Sequence, residues 1–311
     1  QRLLDFPNFS IMDSDDQFSL IKKIMKANGL EKFATASQIC YQISNLKNSM
    51  CDGESSCEAL VKNSQLQEIY SAYEVSKTAA HNMDFDDLIL NVLKLFSKNP
   101  EFKESFQRKV RHVLIDEYQD TSLVQHQLLK CMALDSDKNF VLDSLCAVGD
   151  EDQSIYSWRG ATVTNMLKFK KEFAPVKIIK IEQNYRSVQP ILDAANNLIE
   201  NNKLRNPKKL WSSKKAKNRI LIASCRSGDQ EAGTIATFLK SVSSNKKLSD
   251  IAILYRTHFQ SRAIEEALLS YSIPYKIVGG IRFYERKEIK DLLAHMRLVL
   301  NPFDKISLLR V

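Results

Sequence analysis

The chain has 311 residues, and its 45 Lys and Arg against 37 Asp and Glu give a formal net charge of +8. This length suffices for two domains or more, each with its own core. A basic balance fits an anionic partner such as nucleic acid, and it fits equally a lysine-rich composition without functional meaning. No apolar run reaches the ~18 residues of a membrane helix, and no signal peptide is visible. We therefore predict a soluble, cytoplasmic protein.

Six cysteines and five histidines are scattered along the chain. No two cysteines form a Cys-x-x-Cys pair, and no two histidines have metal-ligand spacing. This distribution is typical of reduced thiols in a cytosolic protein. It argues against a disulfide framework, an iron–sulfur centre or a zinc site.

Residues 1–108 are predicted to be mostly helical. Asp13 or Ser14 can cap a first helix, and an aspartate of the segment 84–87 can open a later helix at Leu88–Phe96, which Asn99-Pro100 ends. Around Asp84 three carboxylates crowd into four residues, with Asp86 and Asp87 following. A metal site is one interpretation. Capping of a helix N-terminus, whose dipole favours negative charge, explains them without an ion, and we favour it.

From Val110 to Ile199 the pattern alternates between strand and helix, which indicates an α/β layer. Strands are predicted at 112–115, 140–148 and 177–181, and helices at 122–133, 162–173 and 189–202. The alternation resumes near residue 219. There strands are predicted at 219–224, 250–255 and 275–278, and helices at 229–242, 260–271 and 285–299.

A basic segment lies between the two alternating regions. Lys203 to Arg219 contains eight basic residues and no acidic one. Pro207 interrupts any helix, so the composition is typical of a hinge or linker. Two interpretations stay open: contacts with nucleic-acid phosphates, or a solvated connector.

The apolar run Val113–Ile115 is followed at once by two carboxylates, Asp116 and Glu117. Such a run suits a strand buried on both faces of a parallel sheet, and ligands lie beyond the carboxyl ends of such strands. Two adjacent carboxylates can there divide the work of nucleotide hydrolysis. One holds Mg²⁺ and the other accepts a proton from the attacking water. Alone the pattern is weak, since many strands end in acidic residues.

Two further motifs follow in the same region. Residues 147–161 read Ala-Val-Gly-Asp-Glu-Asp-Gln-Ser-Ile-Tyr-Ser-Trp-Arg-Gly-Ala, and residues 182–187 read Glu-Gln-Asn-Tyr-Arg-Ser. With the acidic motif, they resemble motifs II, III and IV of the superfamily 1A DNA helicases, the group that contains UvrD, Rep and PcrA. Five more segments match the same group in order: Asp84–Leu88, Ile253–Thr257, Ile273–Tyr275, Val278–Gly280 and Glu288–Asp291.

The resemblance implies an α/β fold with two RecA-like (P-loop NTPase) domains, both incomplete, and an N-terminal helical insertion subdomain. On this basis we divide the chain into a helical insertion, the C-terminal half of a first RecA-like domain, a basic hinge, the first part of a second RecA-like domain and the start of another insertion. These segments are residues 1–108, 109–203, 204–218, 219–300 and 301–311.

The resemblance also implies an ATP-dependent 3′–5′ DNA helicase or translocase acting in repair or replication. Its cofactors would be ATP and Mg²⁺, and its partners single-stranded DNA and junctions of single- and double-stranded DNA. The implied catalytic residues are Asp116, which binds Mg²⁺, Glu117, Gln153 and Arg186. Tyr185, Arg186 and Gln153 would contact the nucleotide. An ion pair with Glu182 is the alternative role for Arg186.

The same motifs supply a DNA-binding prediction at Tyr156, Trp158 and Arg159. Aromatic side chains on a loop that leaves a sheet edge offer stacking faces to unpaired bases. Core packing is the alternative role for both aromatics. The polar residues around them, among them Ser154 and Ser157, argue for exposure.

The chain departs from the family by absence. It contains no Gly-x-x-x-x-Gly-Lys-Ser/Thr phosphate loop, and the two late motifs of the group are missing. We therefore expect the 311-residue chain to be a piece of a helicase and to be inactive by itself. The alternative hypothesis is a non-catalytic, single-stranded DNA-binding remnant of a split or decaying helicase gene.

Overall fold

The computed structural model of the chain describes residues 9–49, 63–216, 220–257, 259–278, 287–300, 302 and 304–311. The described residues fall into two compact units. Unit 1 takes in residues 1–184, 195–210 and 287–311, and unit 2 takes in residues 185–194 and 211–286. The division into five segments that we proposed from the sequence stays a prediction.

The N-terminal part of unit 1 is mostly helical, as the sequence predicts. Two short strands, β1 (Ser10–Ile11) and β2 (Asn82–Met83), pair in parallel. The helices are α1 (Ser14–Ala27), α2 (Ala36–Ser49), α3 (Ser64–Ala79), α4 (Phe85–Lys98) and α5 (Pro100–Lys109).

Aspartates begin two of these helices. The Asp13 carboxylate accepts the backbone N–H groups of Asp15 and Asp16, and the Asp16 carboxylate accepts the N–H of Asp13. Asp84 and Asp87 form the same reciprocal cap at α4. Each cap satisfies N–H groups that have no partner within the helix. A cap at Asp13 is therefore confirmed, and the aspartate that opens the later helix is Asp84, so α4 begins at Phe85 and not at the predicted Leu88.

The core of this helical part is built from residues at helical spacing. Ile39 and Ile43 of α2, Ile69 and Tyr73 of α3, and Ile21 of α1 are fully buried and belong to one cluster. Burying an aliphatic side chain of this size contributes roughly 1.5–3 kcal/mol. The i, i+4 pairs place both members on one face of their helix, which fixes how α1, α2 and α3 pack together.

An α/β layer follows in unit 1. Strand β3 (His112–Ile115) pairs in parallel with β4 (Ser144–Ala147), with His112 opposite Ser144 and Ile115 opposite Ala147. Helices α6 (Leu123–Ala133) and α7 (Thr164–Glu172) contribute to the core beneath the strands. This cluster contains Tyr118, Leu129, Ala133, Leu142 and Phe173.

The prediction that Val113–Ile115 is buried on both faces is wrong in the described structure. Val113 and Ile115 pack against the core cluster, whereas the side chain between them, Leu114, is 79% exposed. Successive side chains of a strand point to opposite faces. Within the described part of the chain, only one face of β3 is covered.

Strand β4 is shorter than the predicted 140–148. Phe140 forms an isolated bridge with Leu134, and the N–H of Asp143 donates to the carbonyl of Arg111. The chain bends at residues 142–143, so the paired ladder begins at Ser144 and has four residues.

Strands predicted at 177–181, 220–224, 250–255 and 275–278 do not pair in the described residues, and residue 219 lies outside them. Their apolar side chains are exposed: Ile181 is 77% exposed, Ile222 94% and Leu254 93%. Sequence pattern reports the preference for an extended backbone, but a strand also needs a neighbour to complete its ladder. The described residues place none beside these segments.

Four of the remaining helices are close to the predicted positions: α8 (Gln189–Ile199), α9 (Gly228–Val242), α10 (Phe259–Ser270) and α11 (Lys287–Leu300). A further helix, α12 (Lys305–Arg310), was not predicted. In unit 2, α9 and α10 share a buried cluster that includes Ala236, Leu239 and Leu268. Among the described helices, none has the length and apolar character needed to cross a membrane.

Candidate functional site

The acidic motif lies immediately after β3. Asp116 and Glu117 are both exposed, and the Asp116 carboxylate accepts the backbone N–H of Glu117 at 3.0 Å. Glu117 has φ 51 and ψ 42, a left-handed conformation that is unusual for a residue with a side chain. This turn ends the strand and returns the chain to the core at Tyr118, which is 1% exposed. The backbone therefore leaves both carboxylates at the surface beyond the strand end.

Gln119 connects this acidic motif to the loop after β4. Its side chain is buried, and its Nε2 donates to Glu117 Oε2 at 2.7 Å. Its Oε1 accepts the backbone N–H of Asp150 at 3.0 Å. One amide thus uses its donor on the acidic residue and its acceptor on the neighbouring loop. Gln119 was not among the residues predicted from the sequence, although it lies in a polar run directly after an apolar strand, a position that is typical of site residues.

Gly149 explains how the two loops approach so closely. A Cβ atom at this position would lie 2.7 Å from Gln119 Oε1 and 3.2 Å from the backbone nitrogen of Tyr118. Any side chain would push the loop away from Gln119 and break its bond to Asp150. The glycine therefore serves the junction between the two motifs.

The loop after β4 presents Gln153 next to this junction. Residues Glu151–Gln153 form a short 3-10 turn, and the Nε2 of the exposed Gln153 donates to Asp150 Oδ2 at 2.7 Å. Burial alone would raise the pKa of the Asp150 carboxyl. Hydrogen bonds from Lys208 and Gln153 and the charge of Lys208 outweigh burial and hold that pKa below its ordinary value. Asp150 is therefore an ionised acceptor that orients the Gln153 amide.

The aromatic residues predicted to bind DNA are at the surface. Trp158 is 54% exposed and Tyr156 39%, with ring centroids 6.3 Å apart. The Arg159 guanidinium lies over both rings, 4.6 Å from the Trp158 centroid and 5.4 Å from that of Tyr156. A cation above an aromatic face is attracted by the ring quadrupole. Core packing, the alternative role, does not describe these side chains.

The two remaining predicted residues, Tyr185 and Arg186, lie in unit 2 and are exposed. Within that unit, Lys214 Nζ donates to the backbone carbonyl of Arg186 at 3.5 Å, and the N–H of Gln189 donates to the carbonyl of Lys214 at 3.1 Å. The structure thus brings Asp116, Glu117 and Gln153 together in unit 1 and describes Tyr185 and Arg186 in unit 2.

Two groups of carboxylates were candidates for a metal. Glu74, Asp84 and Asp87 have oxygens within 4.8 Å of one another, but Lys47 and Lys77 place their ammonium groups among them. Two cations already offset two of the three negative charges of that cluster, so the donor set does not suit a further ion. Of the three carboxylates in the predicted group, Asp84 and Asp87 form the helix cap, whereas Asp86 accepts hydrogen bonds from Ser44 and Asn48 instead. Asp116 is exposed and offers hard oxygen ligands of the kind that Mg²⁺ prefers.

These features define an α/β protein with a polar site at the carboxyl edge of a parallel sheet, the usual place for a ligand in such folds. Residues 4–174 match the family described as UvrD/REP helicase N-terminal domain, and residues 179–311 match the UvrD-like helicase C-terminal domain. The chain therefore belongs to the UvrD/REP helicase family. Its predicted fold class, α/β with RecA-like domains, is confirmed.

Several curated proteins are similar to the chain. It is 45% identical over 313 residues to the ATP-dependent DNA helicase PcrA of Bacillus subtilis, covering 98% of this chain and 41% of that protein. It is 41% identical over 309 residues to a probable DNA helicase II homolog of Rickettsia felis, covering 97% of this chain and 46% of that protein. The chain thus spans less than half the length of these relatives.

Proposed function

We propose that this chain supplies the hydrolytic edge and a DNA-contacting loop of an ATP-dependent DNA helicase that moves 3′ to 5′ on single-stranded DNA. The observation that carries the proposal is the hydrogen-bonded path from Glu117 through Gln119 to Asp150 and Gln153. It joins an exposed carboxylate at one strand end to an exposed amide at the next. The relatives named as ATP-dependent DNA helicases support this assignment.

Each residue has a role that its chemistry allows. Mg²⁺, when bound with ATP, would neutralise charge on the phosphates. Asp116 would hold that ion through its carboxylate. The Glu117 carboxylate, which accepts a hydrogen bond from the neutral amide of Gln119, would accept the proton of the attacking water. Gln153 would hydrogen-bond the terminal phosphate or its water, because an amide both donates and accepts.

Two residues described in unit 2 have proposed roles of their own toward the nucleotide. Arg186 carries a planar, permanently charged guanidinium, which suits stabilisation of a phosphoryl group in transfer. Tyr185 is 69% exposed and offers a face for stacking on the adenine. Both roles rest on the family resemblance of the Glu182–Ser187 motif.

The aromatic loop supports contact with DNA. Tyr156 and Trp158 follow Gln153 by three and five residues, so the proposed phosphate sensor and the stacking faces share one short segment. Stacking tolerates any base because every base has a π-face. A nucleotide-dependent movement of Gln153 would therefore move the stacking residues relative to the strand.

A non-catalytic single-stranded DNA-binding protein is the second candidate. The observation that favours it is the absence of a phosphate loop from the 311 residues, together with aromatic faces that are already exposed. The chain by itself is accordingly expected to bind single-stranded DNA but to hydrolyse Mg-ATP more slowly than ~1 s⁻¹, the low end of usual enzyme turnover. DNA-stimulated turnover above that value in the purified chain would contradict this expectation.

The decisive experiment is a chimaera in which this chain replaces the aligned segment of the Bacillus subtilis relative. We expect DNA-stimulated ATP hydrolysis and unwinding of a duplex with a 3′ single-stranded tail. A folded chimaera that binds single-stranded DNA and ATP but does not hydrolyse ATP would favour the second candidate. Unwinding of only the 5′-tailed duplex would contradict the proposed direction.

A further inference from the structure

Part of the basic segment is fastened to the acidic turn after β4. Arg205 binds Asp152 with two hydrogen bonds, Nε to Oδ1 at 2.9 Å and Nη2 to Oδ2 at 2.7 Å. Lys208 Nζ lies 2.6 Å from Asp150 Oδ1 and 2.9 Å from Asp152 Oδ2. Between them, the backbone N–H of Asn206 donates to Glu151 Oε1 at 2.6 Å. We call residues 205–210 the basic strap.

These ion pairs are largely shielded from water. The side chains of Arg205 and Asp152 are each 11% exposed, and that of Lys208 is 15% exposed. Burial by itself would lower the pKa of Lys208, but hydrogen bonds and charge from Asp150 and Asp152 raise it instead. Removing one partner from such a pair leaves a partly buried charge without compensation, which costs more than losing a surface pair.

The far end of the strap is also held within unit 1. The N–H of Leu210 donates to Asn196 Oδ1 at 3.2 Å, and Asn196 Nδ2 returns a hydrogen bond to the carbonyl of Leu210 at 2.8 Å. Lys180 Nζ donates to the carbonyl of Pro207 at 2.6 Å. The strap is therefore fixed at both ends, and it can hold the acidic turn in one position.

The acidic turn is the same one that carries the proposed phosphate sensor. Asp150 accepts Lys208 on one carboxylate oxygen and Gln153 on the other. Its backbone N–H donates to Gln119, which in turn donates to Glu117. A contact path thus runs from Lys208 to the Gln153 amide and to the Glu117 carboxylate.

We propose that Arg205 and Lys208 are positioning residues that hold the acidic turn so that Gln153 and, through Gln119, Glu117 stand in their working geometry. This inference rests on the proposed function and adds that the basic segment acts on the hydrolytic edge. It also replaces phosphate contact as the role of these two side chains, because both are committed to carboxylates. Neither should contribute to the salt dependence of DNA binding.

The test uses the Bacillus subtilis chimaera and the Arg205–Asp152 pair. Arg205→Ala should lower kcat for DNA-stimulated hydrolysis by about tenfold or more while KM for ATP changes by less than about threefold, because a group acting on geometry affects the chemical step more than binding. Arg205→Lys, which keeps a cation beside Asp152, should recover most of the lost kcat, whereas Arg205→Met, which keeps the aliphatic stem without the charge, should not. A simple loss of packing would be recovered by both variants.

A matched control is the exposed pair Arg262–Glu266, which has a similar Nε to Oε1 distance of 2.9 Å but side chains 86% and 65% exposed. Arg262→Ala should leave kcat unchanged. Glu117→Gln in the same chimaera reports on the proposed function independently. If Glu117→Gln abolishes turnover while Arg205→Ala leaves kcat unchanged, the strap proposal is overturned and the proposed function stands.

Hydrogen exchange in the 311-residue chain gives a second measurement that needs no activity. Arg205→Ala should speed exchange at the amides of Asp150 and Asn206, while amides in the middle of α1 stay as protected as in the native chain. Faster exchange throughout unit 1 would show a general structural role for Arg205 and would overturn the proposal. Unchanged exchange at Asp150 would overturn it as well.

Discussion

Two acidic motifs of this chain look alike in sequence and differ entirely in environment. Asp84 and Asp87 lie at the start of α4, where they are 3% and 7% exposed. Asp116 and Glu117 lie at the end of β3 and are exposed. The first pair is surrounded by cations, whereas the second has no Lys or Arg partner among the ion pairs of the described residues. One pair is used within the fold, and the other faces solvent.

The buried pair belongs to a closed network. Lys47 Nζ lies 2.8 Å from Asp87 Oδ1 and 2.9 Å from Glu74 Oε1, and the Tyr73 hydroxyl donates to Asp84 Oδ2 at 2.8 Å. Burial would lower the pKa of Lys47, but the charges of Asp84, Asp87 and Glu74 outweigh it and raise that pKa. Burial would raise the pKa of Asp84, but Lys47 and Lys77 lower it. Lys47 and Asp84 therefore stay charged, and the ion pairs of this network join α2, α3 and α4.

Removing one cation from this network should produce the largest change in stability. Lys47→Met leaves the carboxylates of Glu74, Asp84 and Asp87 with Lys77 but without Lys47, so their charge is no longer offset and the free energy of unfolding should fall by about 3–5 kcal/mol. Urea denaturation of the 311-residue chain measures it. Lys23→Met, on the exposed face of α1, is the matched control and should change stability by less than about 0.5 kcal/mol. A small effect of Lys47→Met would mean that the two acidic motifs do not differ as described.

For the exposed aromatic loop, in contrast to the buried network, we expect a substitution to change DNA binding without changing stability. Trp158→Ala should weaken binding of single-stranded DNA by roughly 1–3 kcal/mol across unrelated sequences, because a stacking face is lost. The slope of log affinity against log salt should stay the same, because no phosphate contact is removed. Titrations at several salt concentrations check both.

Phe238→Ala is the matched control for Trp158→Ala, since Phe238 is an aromatic residue of α9 with 52% exposure outside the predicted DNA-binding loop. Its substitution should leave DNA affinity unchanged. Unchanged affinity with a lowered melting temperature for Trp158→Ala would show that this residue packs in a core.

Acid titration of the buried pair gives the smallest expected effect. Because the pKa of Asp84 is lower in the folded chain, its contribution to stability is present above the unfolded value of ~3.9 and is lost as pH falls through the folded value. Asp84→Asn should therefore make the loss of stability below pH ~4 less steep, even though it lowers stability at neutral pH. Urea denaturation of the native chain and of Asp84→Asn at a series of pH values measures both slopes.

Local chemistry made part of the structure predictable from sequence. Asp13 and Asp84 cap their helices as expected, because caps depend on residues within one turn. The strand of a parallel sheet directly before the acidic motif and the exposure of Trp158 also follow the prediction. The unpaired segments around Ile181 and Leu254 do not, because pairing depends on partners distant in sequence.

The kind of site could be predicted from the sequence, but the hydrogen bonds that connect its residues could not. The motifs identify Asp116, Glu117 and Gln153, but the link through Gln119 and the strap at Lys208 depend on contacts 31 and 58 residues apart in sequence. Composition alone suggested a hinge, with either phosphate contacts or a solvated connector as its role. The carboxylates that bind Arg205 and Lys208 lie in the turn after β4, 53 and 58 residues earlier in the sequence.

The most direct test of the exposed motif is turnover of the Bacillus subtilis chimaera carrying Glu117→Gln. The amide keeps the shape of the side chain but cannot accept a proton, so hydrolysis should fall by at least about 100-fold, the lower range for loss of a general base. ATP affinity, measured by equilibrium binding, and the free energy of unfolding should change little, because Glu117 is exposed. Turnover near that of the unsubstituted chimaera would contradict the assignment of Glu117 as the base.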